Sequence, residues 1–308
     1  MASMHDQVRR NERNTWVLIF VFVLLLAALG VTTGMALGGV TRWSALIGAA
    51  VAGGIALVMV LLGFFAGGKM ILAMSGAKEI QHKDDPQLFN VVEEMSIAAG
   101  LPMPKVYLID DSAPNAFATG RDPQHAALAI TTGLKDKLKR DELQGVMAHE
   151  MSHVKNHDIK FAMLMAILVG VVALIADVFL RMMFYGRGSR RSSSRKGGNP
   201  AQLVIIVIAI LFAIIAPILA KIIQLAVSRE REYLADASAV ELTRYPEGLA
   251  GALAKINSDT EPLEVANRAT QHLYIVNPIN KLKQLSGKSV WSTHPPIAER
   301  IRRLLEMK

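Results

Sequence analysis

His149 and His153, four residues apart, enclose Glu150 in the order H-E-x-x-H. The residues before them place Leu143, Val146 and Met147 at i, i+3 and i+4. That spacing predicts a helix, with Asp141 as its N-cap and Gln144 three residues on. On a helix the two imidazoles lie one turn apart, about 6 Å along the axis. Both then reach a single Zn²⁺ at about 2.0–2.1 Å. Glu150, next to the first ligand, is placed to take a proton from water at that metal. The same residues on a plain polar helix face would be ordinary, so the motif needs a partner. His157 is expected on the same face, one turn beyond His153. Three histidines on successive turns extend over about 12 Å, too far for one tetrahedral ion. His157 therefore reads as a neighbour of the ligands or as solvated.

A catalytic zinc takes three protein ligands and keeps a fourth position open. The chain has no cysteine, which rules out thiolate sites and disulfides and leaves histidine or carboxylate. The segment S-R-E-R-E-Y-L-A-D at 228–236 offers Glu232 and Asp236, four apart on one helix face. Glu232 is suited to ligate, and Asp236 to accept a hydrogen bond from a ligating histidine. Taken alone, this segment is an ordinary charged amphipathic helix. Its place in the chain changes that weight.

The elements that must position these residues are set by hydropathy. Of 308 residues, 52% are hydrophobic and 19% charged, which points to membrane segments. The net charge of +8 comes without nucleic-acid motifs and with few aromatics, so nucleic acid is not the expected partner. Residues 16–38 and 45–67 are uncharged apolar runs, each long enough for a bilayer of about 30 Å. The first is too long for a signal peptide and lacks a clean cleavage site. Arg9, Arg10 and Arg13 before it, and only Arg42 in the loop, predict a hairpin with both ends cytoplasmic. A second hairpin is expected at 161–184 and 203–227, with a basic Gly/Ser-rich loop between. Six positive charges from Arg181 to Lys196 on the far side run against the positive-inside tendency, so partial burial in protein is the other reading of this pair. Residues 1–15 form the N-terminal tail, 68–160 one half of a soluble α+β unit and 228–308 the other. In the first half, Pro86–Ala99 reads as a helix stopped by Gly100, and Val106–Ile109, Asn115–Ala118 and Ala127–Thr131 as short strands. In the second, helices are expected at 229–242, 247–256, 262–274 and 296–306. The His149 helix runs into the third apolar segment, and Glu232 follows the fourth. A hairpin there brings both halves of the site to one membrane face.

H-E-M-S-H at 149–153, S-R-E-R-E-Y-L-A-D at 228–236, S-T-H-P-P-I-A-E-R at 292–300 and A-P-N-A-F-A-T-G at 113–120 resemble the motifs of the M48 membrane zinc metalloproteases. The resemblance covers almost the whole chain. It implies a mostly helical integral membrane protein, with four hydrophobic helices and an α+β zincin-like catalytic domain holding a small β-sheet. It implies one Zn²⁺ on His149, His153 and Glu232, Glu150 as general base and Asp236 behind the ligands. By the same resemblance His294 and Arg300 lie by the site and support the transition state. The strand Asn115, Ala116, Phe117 is expected to offer its edge to an extended substrate, with Ala127–Thr131 as the alternative. The implied activity is endopeptidase cleavage of damaged membrane proteins or unfolded polypeptides at the cytoplasmic face of a bacterial inner membrane. Prenyl-protein proteases of the family have more spans than this chain supplies, which argues against prenylated substrates. A membrane scaffold with a structural zinc is the rival. Such a site uses four ligands, usually including cysteine, and Glu150 would have no task there.

Overall fold

A computed structural model describes residues 4–168, 170, 229–259, 261, 263, 273–275 and 295–307. The 203–227 segment, most of 161–184, the basic loop and His294 lie outside the described residues.

Helix α1 (Met4–Gly38) and helix α2 (Arg42–Met74) form the first hairpin. Gly39 turns the chain at φ +81°, and Thr41 caps α2 by accepting from the Ser44 amide at 3.1 Å. α1 is longer than the apolar run 16–38, because the polar tail from Met4 continues the same helix. The two helices touch backbone to backbone: a Cβ added at Gly30 would strike the Gly48 carbonyl, and one at Gly48 the Gly30 carbonyl. Small residues at a helix contact of this kind replace a hydrophobic drive that lipid does not supply. Only 6% of the most apolar window of α2 is buried, while Leu46, Ile47, Phe65 and, on α1, Trp16 and Phe20 are exposed. A core helix of a soluble protein hides such residues, whereas a membrane span shows them.

The α+β unit begins with strand β1 (Lys78–Glu79), followed by helix α3 (Pro86–Ala99), capped by Asp85 and stopped by left-handed Gly100 at φ +68°. Strands β2 (Lys105–Ile109), β3 (Ala116–Thr119) and β4 (Ala127–Thr131) complete a mixed sheet in the order β1-β2-β4-β3. β2 and β4 are parallel, and the other two pairings antiparallel. Alternation places Ala118, Leu128 and Ile130 against the helices of the unit, and Phe117, Ala127 and Ala129 against the hairpin side. β3 and β4 are thus buried on both faces, which accounts for the apolar run Ala127–Ile130 of β4. Being central, β4 is excluded as the free edge. β1 and β3 are the outer strands among the described residues.

Helix α4 (Thr132–Lys137) leads to α5 (Arg140–Lys155), which carries H-E-x-x-H. α5 starts earlier than the sequence suggests. Lys139 is the N-cap, and its amide donates to Glu142 Oε2 at 2.7 Å, so Asp141 and Gln144 lie inside the first turns. A helix over 158–168, α6, follows at once and packs on Gly63 and Gly67 of α2 through Met163, Leu164 and Ile167. Helices α7 (Arg229–Thr243), α8 (Pro246–Ser258) and α9 (Ile297–Leu305) close the unit. α8 lies tight on α5: a Cβ on Gly145 would come within 2.6 Å of the Leu249 amide nitrogen. Leu273 and Tyr274, expected to end the 262–274 helix, are a turn and a bend, followed by a second bend at Ile275.

Candidate metal centre

α5 is amphipathic in an unusual sense, because its buried face holds the chemistry. His149 is 0% and Glu150 2% exposed, alongside buried Val146, Met147 and Met151. A buried polar face persists only when partners satisfy it. The partners arrive from α7, α9 and the turn after α5.

The Nε2 atoms of His149 and His153 face each other at 3.3 Å. Glu232 of α7 closes the group: Oε2 lies 3.8 Å from His149 Nε2 and Oε1 3.8 Å from His153 Nε2. One ligand atom from each residue falls within 4.8 Å of the others. Tetrahedral bonds of about 2.0–2.1 Å put ligand atoms about 3.3 Å apart. Two imidazole nitrogens and a carboxylate at this spacing fit zinc by distance and donor type.

Both histidines present Nε2 because a carboxylate holds the other nitrogen. Asp236 Oδ1 stands 3.0 Å from His149 Nδ1, and Arg300 of α9 donates to Asp236 at 2.7 and 2.9 Å. Arg300 also comes within 3.4 Å of Glu232 Oε2 and of His149 Nε2. Burial alone would raise the Asp236 carboxyl. The Arg300 guanidinium and the His149 ring outweigh it and hold Asp236 below the usual range. Burial disfavours charge on the Arg300 guanidinium, yet Asp236, Glu232 and Glu150 around it push its pKa up. Asp158, which sequence reasoning missed, holds His153 from the other side, with Oδ2 at 2.9 Å from Nδ1. Burial works against protonation of the His153 ring. Asp158, with Glu232 and Glu150 behind it, prevails and raises it to about 9 in the metal-free protein.

Glu150 is buried within interaction range of the same three side chains, His149, His153 and Glu232. Burial pushes its carboxyl above the usual range, against the pull of His149 and His153, and the Ala118 amide of β3 hydrogen-bonds to it. His157 does not share the α5 face. The helix stops at Lys155, and His157 sits at φ +58° in the turn that swings Asp158 back to His153. Of β3, Ala116 turns its carbonyl outward, where it accepts from the Ile275 amide at 3.0 Å, while Phe117 packs edge-to-face on Tyr274 at 5.2 Å. Asn115 is buried, its side chain accepting from the Ala116 amide at 3.1 Å. Asp158 had one sequence signal, an acid five residues after the second histidine.

Such a set, two histidines and a distant glutamate around a buried acid, defines a zinc-dependent peptidase. Residues 82–308 match Peptidase family M48, and the chain belongs to that family. A protease HtpX homolog of Tropheryma whipplei (strain Twist) is 46% identical over 99% of this chain and 98% of its own length. Homologs in Lactobacillus helveticus (strain DPC 4571) and Listeria monocytogenes serotype 4a (strain HCC23) are 41% and 42% identical, over 99% of this chain and 100% of theirs. Among solved structures, S. mikatae Ste24p aligns with TM-score 0.47 and 22% identity, over 80% of this chain and 56% of that one. The chain is a zinc metallopeptidase with its metal site at His149, His153 and Glu232, in a membrane protein with two candidate spans.

Proposed function

We propose that this peptidase is an endopeptidase cleaving unfolded or misassembled membrane proteins at the cytoplasmic membrane face. Bound zinc supplies a Lewis acid for the scissile carbonyl and acidifies water toward neutral pH. Glu150 takes the proton of the attacking water and passes it to the leaving nitrogen. Its burial beside the ligands, which raises its affinity for a proton, supports that role. Arg300 supports negative charge developing beside His149 and Glu232, and His294 is assigned as a donor to the oxyanion. Asp236 fixes the His149 ring. The substrate lies extended along β3, in line with Asn115, Ala116 and Phe117, by displacing the Ile275 amide that holds the Ala116 carbonyl. The observation that carries this reading is the edge position of β3 with its Ala118 amide on Glu150. Backbone pairing on a sheet edge makes few sequence demands, which suits damaged substrates. As part of the same proposal, the apolar segments 161–184 and 203–227 are taken as the third and fourth spans that hydropathy suggests.

Cleavage of casein and of a membrane protein by the purified full chain, with and without chelator, tests this. Activity lost with chelator and in Glu150→Gln, at one zinc per chain, is expected. Equal cleavage by Glu150→Gln and wild type would remove the assignment. A scaffold would bind zinc and cleave nothing. Cysteine labelling at Ser192 to Ser194 reads the orientation, since the chain has no native cysteine.

A further inference from the structure

We propose that Asn11 is a positioning residue for the zinc ligand His153, acting through Asp158 from the first membrane helix. Asn11 is 2% exposed and stands on the stripe Asn11, Thr15, Leu18, Phe22 that α1 buries. Its Nδ2 donates to Asp158 Oδ1 at 2.6 Å and to the Asn156 carbonyl at 2.9 Å. Its Oδ1 accepts from Arg231 Nη1 at 3.1 Å. One amide therefore spends both hydrogens and its oxygen on two other segments, the turn after α5 and the start of α7.

The geometry gives the amide a specific task. Asp158 uses Oδ2 on His153, so the direction of that hydrogen bond depends on what grips Oδ1. The shorter grip is Asn11, with Arg231 as a looser ion pair 3.5 Å from the same oxygen. Arg231 is itself oriented over the Phe161 ring of α6, 5.5 Å away, and adjoins the ligand Glu232. His153 lies in the last turn of α5, where the helix is about to end, so its ring has less backbone support than that of His149. Without Asn11 the Asp158 carboxylate keeps its charge and loses its orientation. Partners behind metal ligands typically contribute 10–100-fold to affinity. Asn11 is one step further out, and its share falls at the low end. Zinc affinity in this protein thus includes the docking of the membrane hairpin on the catalytic unit.

The test is zinc affinity of the purified full chain, measured by competition with a chelating dye, beside thermal melting of the metal-free protein. Asn11→Ala is expected to raise the zinc Kd about tenfold, and the exposed neighbour change Glu12→Ala to leave it alone. Asn11→Asp keeps size and the acceptor toward Arg231 but sets a carboxylate against Asp158, so its loss is at least as large. In an Asp158→Asn background, Asn11→Ala adds less than about twofold, because both changes cut one path. The proposal is overturned if Asn11→Ala leaves the Kd within about twofold of wild type, or weakens zinc equally in both backgrounds. A lowered melting temperature with unchanged Kd overturns it as well. If Asn11→Ala does not fold, Asn11→Asp is read by the same criteria.

Discussion

The two histidine ligands are chemically alike and are held by unlike means. Behind His149 stands Asp236, gripped twice by Arg300, which is fully buried within the catalytic unit. Behind His153 stands Asp158, gripped by Asn11 from the membrane hairpin and flanked by Arg231. One support is a charge pair sealed in a protein core. The other sets a neutral amide from α1 at 2.6 Å and, more loosely at 3.5 Å, the buried Arg231 guanidinium on one oxygen of Asp158. A sealed ion pair fails badly when one partner goes, whereas a hydrogen-bonded support fails gradually. The two ligands should therefore respond very differently to disruption.

The largest expected effect removes the acid that lies beside both ligands and belongs to neither support. Glu150→Gln lowers kcat/KM by about 10²–10⁴-fold, with zinc still bound at one equivalent by metal analysis. Next, Arg300→Met leaves Asp236 buried without its countercharge. The expected cost is about 3–5 kcal/mol, read by denaturant unfolding of the zinc-loaded chain, and Arg300→Met with Asp236→Asn recovers part of it. If the single change costs no more than Asp158→Asn, the contrast between the supports is false. Asp158→Asn itself weakens zinc about 10–100-fold by dye competition, with a smaller loss in unfolding than Arg300→Met, because Arg231 keeps the Asn11 Oδ1 as a partner.

A smaller effect comes from pH. The His153 pKa in the folded metal-free protein is raised from 6.5 to about 9. Its contribution is therefore full below about 6.5 and is lost as pH rises through about 9. Melting curves of chelator-treated protein should fall across that window, and the fall should flatten in Asp158→Asn. A fall of equal size in both would assign the titration to another group.

The His149 side was legible in the sequence, and the His153 side was not, for a physical reason. His149, Glu150, His153, Glu232 and Asp236 sit at helical spacings, so local periodicity carries them. The apolar runs of α1 and α2 and the Gly100 stop of α3 are local in the same sense. Asn11 acts across 147 residues, and nothing local marks it. The stripe Asn11, Thr15, Leu18, Phe22 has helical spacing, yet lipid and protein both accept its apolar members. The error over His157 came from extending α5 past Lys155, where a left-handed residue ends it. β1 escaped because two residues are too few to show alternation.

The separation of Asn11 from Asp158 also orders events in time. A ribosome adding about 5–20 residues per second releases Asn11 roughly 7–30 s before Asp158. The first hairpin is complete at Met74, roughly 4–15 s at that rate before His149, the first metal ligand, is added. When α5 and its turn emerge, the amide that must receive them is already anchored. A chain that misses the membrane meets the same moment without it, and is left holding zinc by its core support alone.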